Sequence, residues 1–324
     1  MDIVFTPFSD MRSDSGAFSM AGYAHEYHDF VKKRYRMSSG FLEIRERGTL
    51  VCVVPACFND ASLYAFYKHY TEPAIADIGP MSNIRWDAVA DLARKKLKLK
   101  SAEFHFSGMH QASYEGMKPT GFSTYVFRMR GITDGDSIRS RFHNITRLRK
   151  AERFGFEFRV IGEESLPAIY DLYLENMHRH GTPPRSLDFF QDLFASFGTA
   201  CYGIALYDKG MLAGLHLMVS TNQYARMYFS VSKQEYWPHC VNNLLYFKTI
   251  EHALESGVAF VDFGGGPDTD AGHNRFKMGF GLERIPLWKV HAGSWLYRVP
   301  AWSQNKKRNL VMRVNKLKRW FSRA

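Results

Sequence analysis

No run of about eighteen consecutive apolar side chains, the length that crosses a bilayer as a helix, occurs in this 324-residue sequence. Its opening, MDIVFTPFSDMRSDSG, has acids where a secretory leader carries basic residues, and no apolar segment follows. A cytoplasmic protein is the expectation. Cysteine is scarce: Cys52, Cys57, Cys201 and Cys240 stand at irregular spacing with no CxxC pair, so reduced, buried thiols are expected. The histidine clusters HEYH (25 to 28) and HRH (178 to 180) lack the His-Glu-x-x-His spacing that puts two ligands on one helical face, and no metal site is assigned. Nucleotide loops are missing as well. The glycines of VDFGGGPDTDAGHNRFKMGFG (261 to 281) are not followed by Gly-Lys-Ser/Thr and do not open a long helix early in a βαβ unit, and no His-Arg-Asp loop precedes the DFG triplet to make it a kinase element.

What is present is a basic, aromatic-rich chain. Net charge is +11, hydrophobic residues make up 45% and aromatics 15%, enough to bury cores, and the length favours two domains. The excess charge is uneven. The tail WSQNKKRNLVMRVNKLKRWFSRA (302 to 324) has eight cations and no acid. Its Leu310, Val314, Leu317 and Phe321 recur at helical spacing, giving an amphipathic helix suited to anionic lipid at about 1 kcal/mol per basic residue, to RNA phosphates, or to simple docking by its apolar stripe.

Periodicity predicts a hairpin over FLEIRERGTLVCVVPACF with Gly48 at its turn, a helix over Trp86 to Lys98, strands at AEFHFSGM and GFSTYVFRMRG, and a boundary at GITDGDS (131 to 137). A helix capped by Ser137 or Asp136 follows, with Ile138, Phe142, Ile145 and Leu148 as its apolar stripe. Arg139, His143, Arg147 and Lys150 form a cationic row beside that stripe, suited to a phosphate partner or to bare solvation. Three strands (200 to 207, 211 to 219, 224 to 231) precede a helix from about Asn242 to Ser256, a strand VAFVDFG, a short helical segment and a last strand near IPLWKVHAG. That element order is the order of the GNAT acyltransferase fold. The glycine-rich stretch then reads as a strand end followed by a flexible loop presenting Arg275, Phe276 and Lys277.

With these segments laid out, VDFGGGPDTDAGHNRFKMGFG resembles the "DFG…G…FK…GFG" segment of FemAB-like transferases, the GNAT branch that includes peptidoglycan-bridge aminoacyltransferases. NITRLRKAERFGFEFRV, MHRHGTPPRSLDFF and VNNLLYFKTIEHALESGVAFVDFG resemble, in the same order, segments of the subgroup associated with envelope and exopolysaccharide systems. The resemblance covers 135 to 290 well; before 130 it is confined to the hairpin, IADIGP and the element order. It implies an α/β (α+β) fold of tandem GNAT-like lobes, mixed central sheets flanked by helices. The expected domains are a degenerate lobe over 1–132, a transferase domain over 133–298 and the basic helix over 299–324.

It also implies attack of an amine of a cell-envelope precursor, peptidoglycan or polysaccharide, on an activated acyl group. The donor is aminoacyl-tRNA or acyl-CoA, with no bound cofactor. Lys277 would stabilise the developing oxyanion and Asp262 would take or relay the proton, although a strand-end aspartate equally well caps the next turn. Arg147, Arg149 and Lys150 would meet a pyrophosphate or an RNA backbone. Gly181, Thr182, Tyr228, Asn243, Tyr246, Gly264, Arg275 and Phe276 complete the implied substrate-binding set, with Asn243 a helix cap as the alternative. Possible partners are thus the envelope precursor, tRNA and, through the tail, the anionic inner face of the membrane.

One departure bears on the donor. Coenzyme-A-dependent GNAT enzymes open the helix after the fourth strand with a glycine-containing turn, whereas this chain has KQEYWPHCVNNLL there, so aminoacyl-tRNA or another donor is favoured. Two alternatives stand beside this reading: an acyl-CoA-dependent N-acyltransferase, and a non-catalytic basic module for RNA or anionic lipid.

Overall fold

The computed structural model describes residues 2–7, 25–65, 85–107, 117–221 and 224–294. The amphipathic tail and the IADIGP segment lie outside the described residues. In chain order the elements are β1 (Asp2–Pro7), α1 (His25–Tyr35), β2 (Ser38–Glu46), β3 (Thr49–Phe58), β4 (Ser62–Ala65), α2 (Trp86–Lys96), β5 (Ser101–Ser107), β6 (Lys118–Arg128), α3 (Gly135–Arg141), α4 (Ile145–Phe154), β7 (Glu157–Ile161), α5 (Leu166–His180), α6 (Leu187–Phe197), β8 (Cys201–Asp208), β9 (Met211–Thr221), β10 (Tyr224–Ser232), α7 (Val241–Glu255), β11 (Phe260–Pro267), α8 (Ala271–Met278) and β12 (Glu283–Gly293). Among the described residues no helix is long and apolar enough to cross a membrane.

Two compact units result, and they do not follow the linear boundary read at 132/133. Among the described residues, the first takes those up to Arg130 together with Ser220–Arg226 and those from Gly257 onward; the second takes Gly131–Val219 and Met227–Ser256. The last strands of the chain therefore complete the sheet begun by its first residues. In the first unit the strands run β1-β2-β3-β4-β5-β12-β6-β11, followed by the first residues of β10. Pairing is antiparallel except for β4 with β5 and β10 with β11. The hairpin β2–β3 turns at Arg47–Gly48, as its alternation predicts. β6, the strand predicted at GFSTYVFRMRG, is an interior strand between β12 and β11.

This unit packs its sheet against α2. Ala102, Phe104 and Phe106 of β5, every second residue of the strand, face one side with Val290 and Ala292 of β12, and Trp86, Val89, Ala90 and Ala93 of α2 fill the space above them. The Trp86 indole lies 4.7 Å from the Phe106 ring and 5.9 Å from the Phe104 ring. α2 can do this because its apolar residues recur at three- and four-residue intervals while Asp87 and Asp91 hold the outer face with Arg85, Arg94 and Lys95.

In the second unit β7, β8 and β9 pair antiparallel, and α7 packs against β8, α3 and α4. The single helix expected from 137 onward is two. Phe142 leaves the helical region (φ −81°, ψ 116°), and Asn144 opens α4. Burial decides the break: Phe142 turns inward to meet the Phe247 ring edge-on at 6.0 Å, a contact worth more than one continued helical hydrogen bond. The cap also differs from expectation. Asp134 accepts from Ser137 N at 2.8 Å while Ser137 Oγ accepts from Asp134 N at 3.1 Å, a reciprocal box one turn earlier than the sequence suggested.

Truncating Trp86 to Ala removes the largest side chain of the first core. We expect a loss of about 3–5 kcal/mol in unfolding free energy, read by denaturant titration.

Candidate active site

The DFGGG run is not a loop. It is the body of β11, whose residues continue to pair with β6 as far as Pro267, with a register shift between Asp262 and Gly265 that marks a bulge. The glycines are forced by geometry. Gly264 sits at φ +72°, where a side chain strains the backbone. A Cβ on Gly265 would stand 2.5 Å from the Ser123 carbonyl of β6. On the other side, the parallel ladder with β10 comprises Tyr224–Phe260, Ala225–Val261 and Arg226–Asp262 and ends there, at the start of the bulge.

Asp262, wholly buried, is the hub at that point. Its Oδ1 accepts from Thr124 Oγ1 at 2.6 Å and from Gly264 N at 2.7 Å, its Oδ2 accepts from Tyr224 OH at 2.7 Å, and the Arg226 guanidinium lies 3.8 Å from Oδ2. Lys277 comes from α8, which starts where Asp270 accepts from His273 N and ends at Gly279. Only 4% exposed, Lys277 points its Nζ back to donate to the carbonyls of Phe263 (2.5 Å) and Gly264 (2.8 Å), 5.2 Å from the centre of the Tyr125 ring.

The peptide joining Phe263 to Gly264 is therefore held at its N–H by a carboxylate and at its C=O by an ammonium group. Burial pulls the Lys277 pKa down to about 8, against the upward pull of Asp262, and Arg226 adds to the lowering. One N–H of the ammonium remains beyond its two carbonyl partners. Beside it, Asn274 accepts from Tyr125 OH and donates to Asp268 O at 3.0 Å, and His273 packs edge-on to Tyr125 at 6.1 Å.

Two expectations are corrected here. Arg275, Phe276 and Lys277 belong to a helix and not to a flexible loop, because Asp270 caps that helix and Lys277 anchors it. They also face differently: Arg275 is exposed, Phe276 stacks edge-on to Phe280 at 4.9 Å, and Lys277 is buried. Asp262 does cap the following turn through Gly264 N, the alternative that the sequence left open. Thr124, Tyr125, Tyr224, Arg226 and Asn274 complete the cluster. Their signal was absent from sequence spacing, since strand register brings Thr124 to Asp262 across 138 positions.

The remaining residues lie in the second unit. Gly181 ends α5 in the left-handed region (φ +63°), and Thr182 N donates to Met177 O at 3.0 Å, so this pair closes the helix. Tyr228 is half-buried on β10. Tyr246 is buried and meets the His216 ring edge-on at 5.0 Å, while His216 Nδ1 and Thr249 Oγ1 share a 2.8 Å hydrogen bond. Asn243, in the first turn of α7, is buried with an amide NH2 that meets no hydrogen-bond partner among the described residues. The residue before α7 is informative. Cys240 adopts φ +60°, ψ +33°, so a cysteine takes the left-handed conformation normally given to glycine, after a 3-10 turn over Gln234–His239.

Arg147, Arg149 and Lys150 are exposed on α4, but Arg139 does not join them: it pairs with Glu152 at 2.7 Å and lies 4.5 Å over the Phe247 ring. Cys57 and Cys201 are free and buried, and Cys240 is half-buried. Among the described residues no group of three His, Cys, Asp or Glu is placed to hold a metal ion.

Comparison with known proteins bears on the fold. Residues 139–278 match the acetyltransferase (GNAT) domain family. The structure is similar to that of FemX, at 12% identity over 92% of this chain and 99% of that one, TM-score 0.66. It is similar to the C-terminal domain of a putative lysylphosphatidylglycerol synthetase from Agrobacterium fabrum (14% identity, 87% of this chain, 91% of that one, TM-score 0.54). A tandem GNAT protein from the clavulanic acid biosynthesis pathway matches at 13% identity over 90% of this chain and 99% of that one, TM-score 0.50. No curated protein matches the sequence. At these identities the structural likeness speaks for the fold. The chain has a fold similar to that of FemX, and its residues 139–278 match the GNAT domain family, in line with the resemblance read from the sequence.

Two outcomes follow. Lys277 has a lower pKa folded than unfolded, so between about pH 8 and pH 10.5 the unfolded chain holds the extra proton and stability gains from rising pH. Relative to Lys277→Met, the wild type should therefore gain on the order of 2–3 kcal/mol across that window and change little below it, measured by urea unfolding at stepped pH. Cys240→Gly removes left-handed strain and should raise stability by about 1 kcal/mol, seen as an upward shift of the thermal midpoint.

Proposed function

We propose that the protein transfers an activated acyl group, in the first instance an aminoacyl group from tRNA, to an amine of a cell-envelope precursor. The observation that carries the reading is the clamped peptide at the end of β11, with Lys277 presenting one N–H beyond its two carbonyl partners. In this reaction the acceptor amine attacks the acyl carbon, its carbonyl oxygen takes up negative charge, and the ester or thioester bond breaks with the proton lost by the amine ending on the leaving group. A fixed ammonium donor at the developing oxyanion lowers the barrier by about 3–4 kcal/mol, and alignment of the two substrates contributes more.

With its pKa near 8, Lys277 is also suited to relay that proton, giving one to the leaving oxygen or sulfur and taking back the one the amine loses. Envelope acceptors are favoured by the sequence resemblance to peptidoglycan-bridge enzymes. Peptidoglycan and exopolysaccharide precursors both fit, and so does action at the cytoplasmic face of the membrane.

A second reading, an acyl-CoA donor, is favoured by one feature of the second unit. Cys240 takes the backbone conformation that a glycine turn would supply, and the unpartnered Asn243 amide lies in the turn that follows.

Calorimetric titration with coenzyme A, and with bulk tRNA at two salt concentrations, separates the donors. Binding of tRNA alone is the expected result; tight binding of coenzyme A with turnover of an acyl thioester would establish the second reading. In either case Lys277→Met should lower kcat by about 100- to 1000-fold while circular dichroism stays unchanged. Normal kcat in that variant would remove Lys277 from the chemistry.

A further inference from the structure

α4 carries a surface that the fold does not require. At 100° per residue, Ile145, Leu148, Ala151 and Glu152 occupy one half of the helix, while Arg149, Arg153, Thr146, Lys150 and Arg147 sweep an arc of about 160° over the other. Leu148 and Ala151 are buried, α4 packs against α7, and Glu152 is engaged by Arg139. Arg147, Arg149, Lys150 and Arg153 are all exposed, and among the described residues none of their side chains makes an ion pair or hydrogen bond. No acid lies on that half. Helix stability does not account for the pattern either, since Arg147 sits in the first turn, where the helix dipole disfavours a cation and no acidic residue offsets it.

An exposed aromatic lies next to this face. The 3-10 turn Gln234–His239 packs on the C-terminal end of α4, with the His239 ring 4.1 Å and the Tyr236 ring 6.2 Å from Phe154. Trp237 of that turn is 42% exposed. It is held in place: its Nε1 donates to Ser232 Oγ at 2.9 Å and Arg179 covers one side of the ring at 4.7 Å. An exposed indole held in one orientation suits the headgroup level of a bilayer.

We infer that the exposed face of α4, with Trp237 on the turn packed against the C-terminal end of that helix, docks the second unit onto an anionic phospholipid surface. Charge complementarity selects the partner. A cluster of roughly four or more basic residues on an amphipathic helix is the pattern that meets an anionic headgroup layer. Arg147, Arg149, Lys150 and Arg153 supply that cluster. This surface is distinct from the tail at 302 to 324, and the inference stands whichever acyl donor is used.

The test is co-sedimentation of the full chain with vesicles of phosphatidylcholine alone and of phosphatidylcholine mixed equally with phosphatidylglycerol, at low and high salt. The variant Arg147→Ala/Lys150→Ala/Arg153→Ala is compared with Lys32→Ala/Lys100→Ala/Lys118→Ala, which removes the same charge from exposed positions of the first unit. Circular dichroism confirms that each is folded. We expect wild type and control to bind the anionic vesicles at low salt, and the α4 variant to bind at least tenfold more weakly. Equal binding by the two variants would overturn the inference, because net charge or the tail would then carry the attraction. Wild-type binding to bulk tRNA but not to anionic vesicles, weakened by the α4 changes, would overturn it in favour of RNA.

Discussion

The peptide between Phe263 and Gly264 is the fixed point of the first unit. Asp262 holds its N–H and Lys277 holds its C=O, so two oppositely charged buried groups are bridged through the main chain instead of meeting directly. A buried ion is stable only when its hydrogen-bonding capacity is filled, and each partner here depends on the other's element. Thr124 brings in β6, Tyr224 and Arg226 bring in the start of β10, and Lys277 brings in α8. The bulge in β11, the end of its parallel ladder and the position of α8 are one arrangement seen from three sides.

That arrangement links structure to chemistry. Burial has pulled the Lys277 pKa down to about 8, which in the proposed reaction suits proton transfer to a leaving group. Its rigidity follows from the same contacts. A donor already fixed by two carbonyls needs little reorganisation when charge develops on a substrate, which is the condition for electrostatic catalysis in a site shielded from water.

Among the described residues, cations differ in what neutralises them. Lys277 is buried against carbonyls and Arg139 is drawn onto Glu152 and Phe247, whereas the α4 cations make no ion pair among the described residues. Sequence spacing put Arg139 in the same row as Arg147 and Lys150, and the turn at Phe142 separates them. The break arises because an aromatic side chain reaches the core of the second unit only if the backbone leaves the helix.

Local pattern determined a good deal by itself. Alternation marked β2, β3 and β5, three- and four-residue spacing marked α2 and α7, and the order of elements together with the DFG, FK and GFG residues pointed to a FemAB-like GNAT fold. These signals are local because side-chain direction repeats every two residues in a strand and every 3.6 in a helix. Tertiary structure decided what no spacing contains: that β12 returns between β5 and β6, that the glycine run is strand, and that Lys277 faces inward. It also decided that Cys240 takes a glycine conformation. Each depends on which groups meet across more than a hundred positions or on which strained backbone the surrounding packing will hold, and those choices are made by burial and hydrogen bonding in the assembled chain.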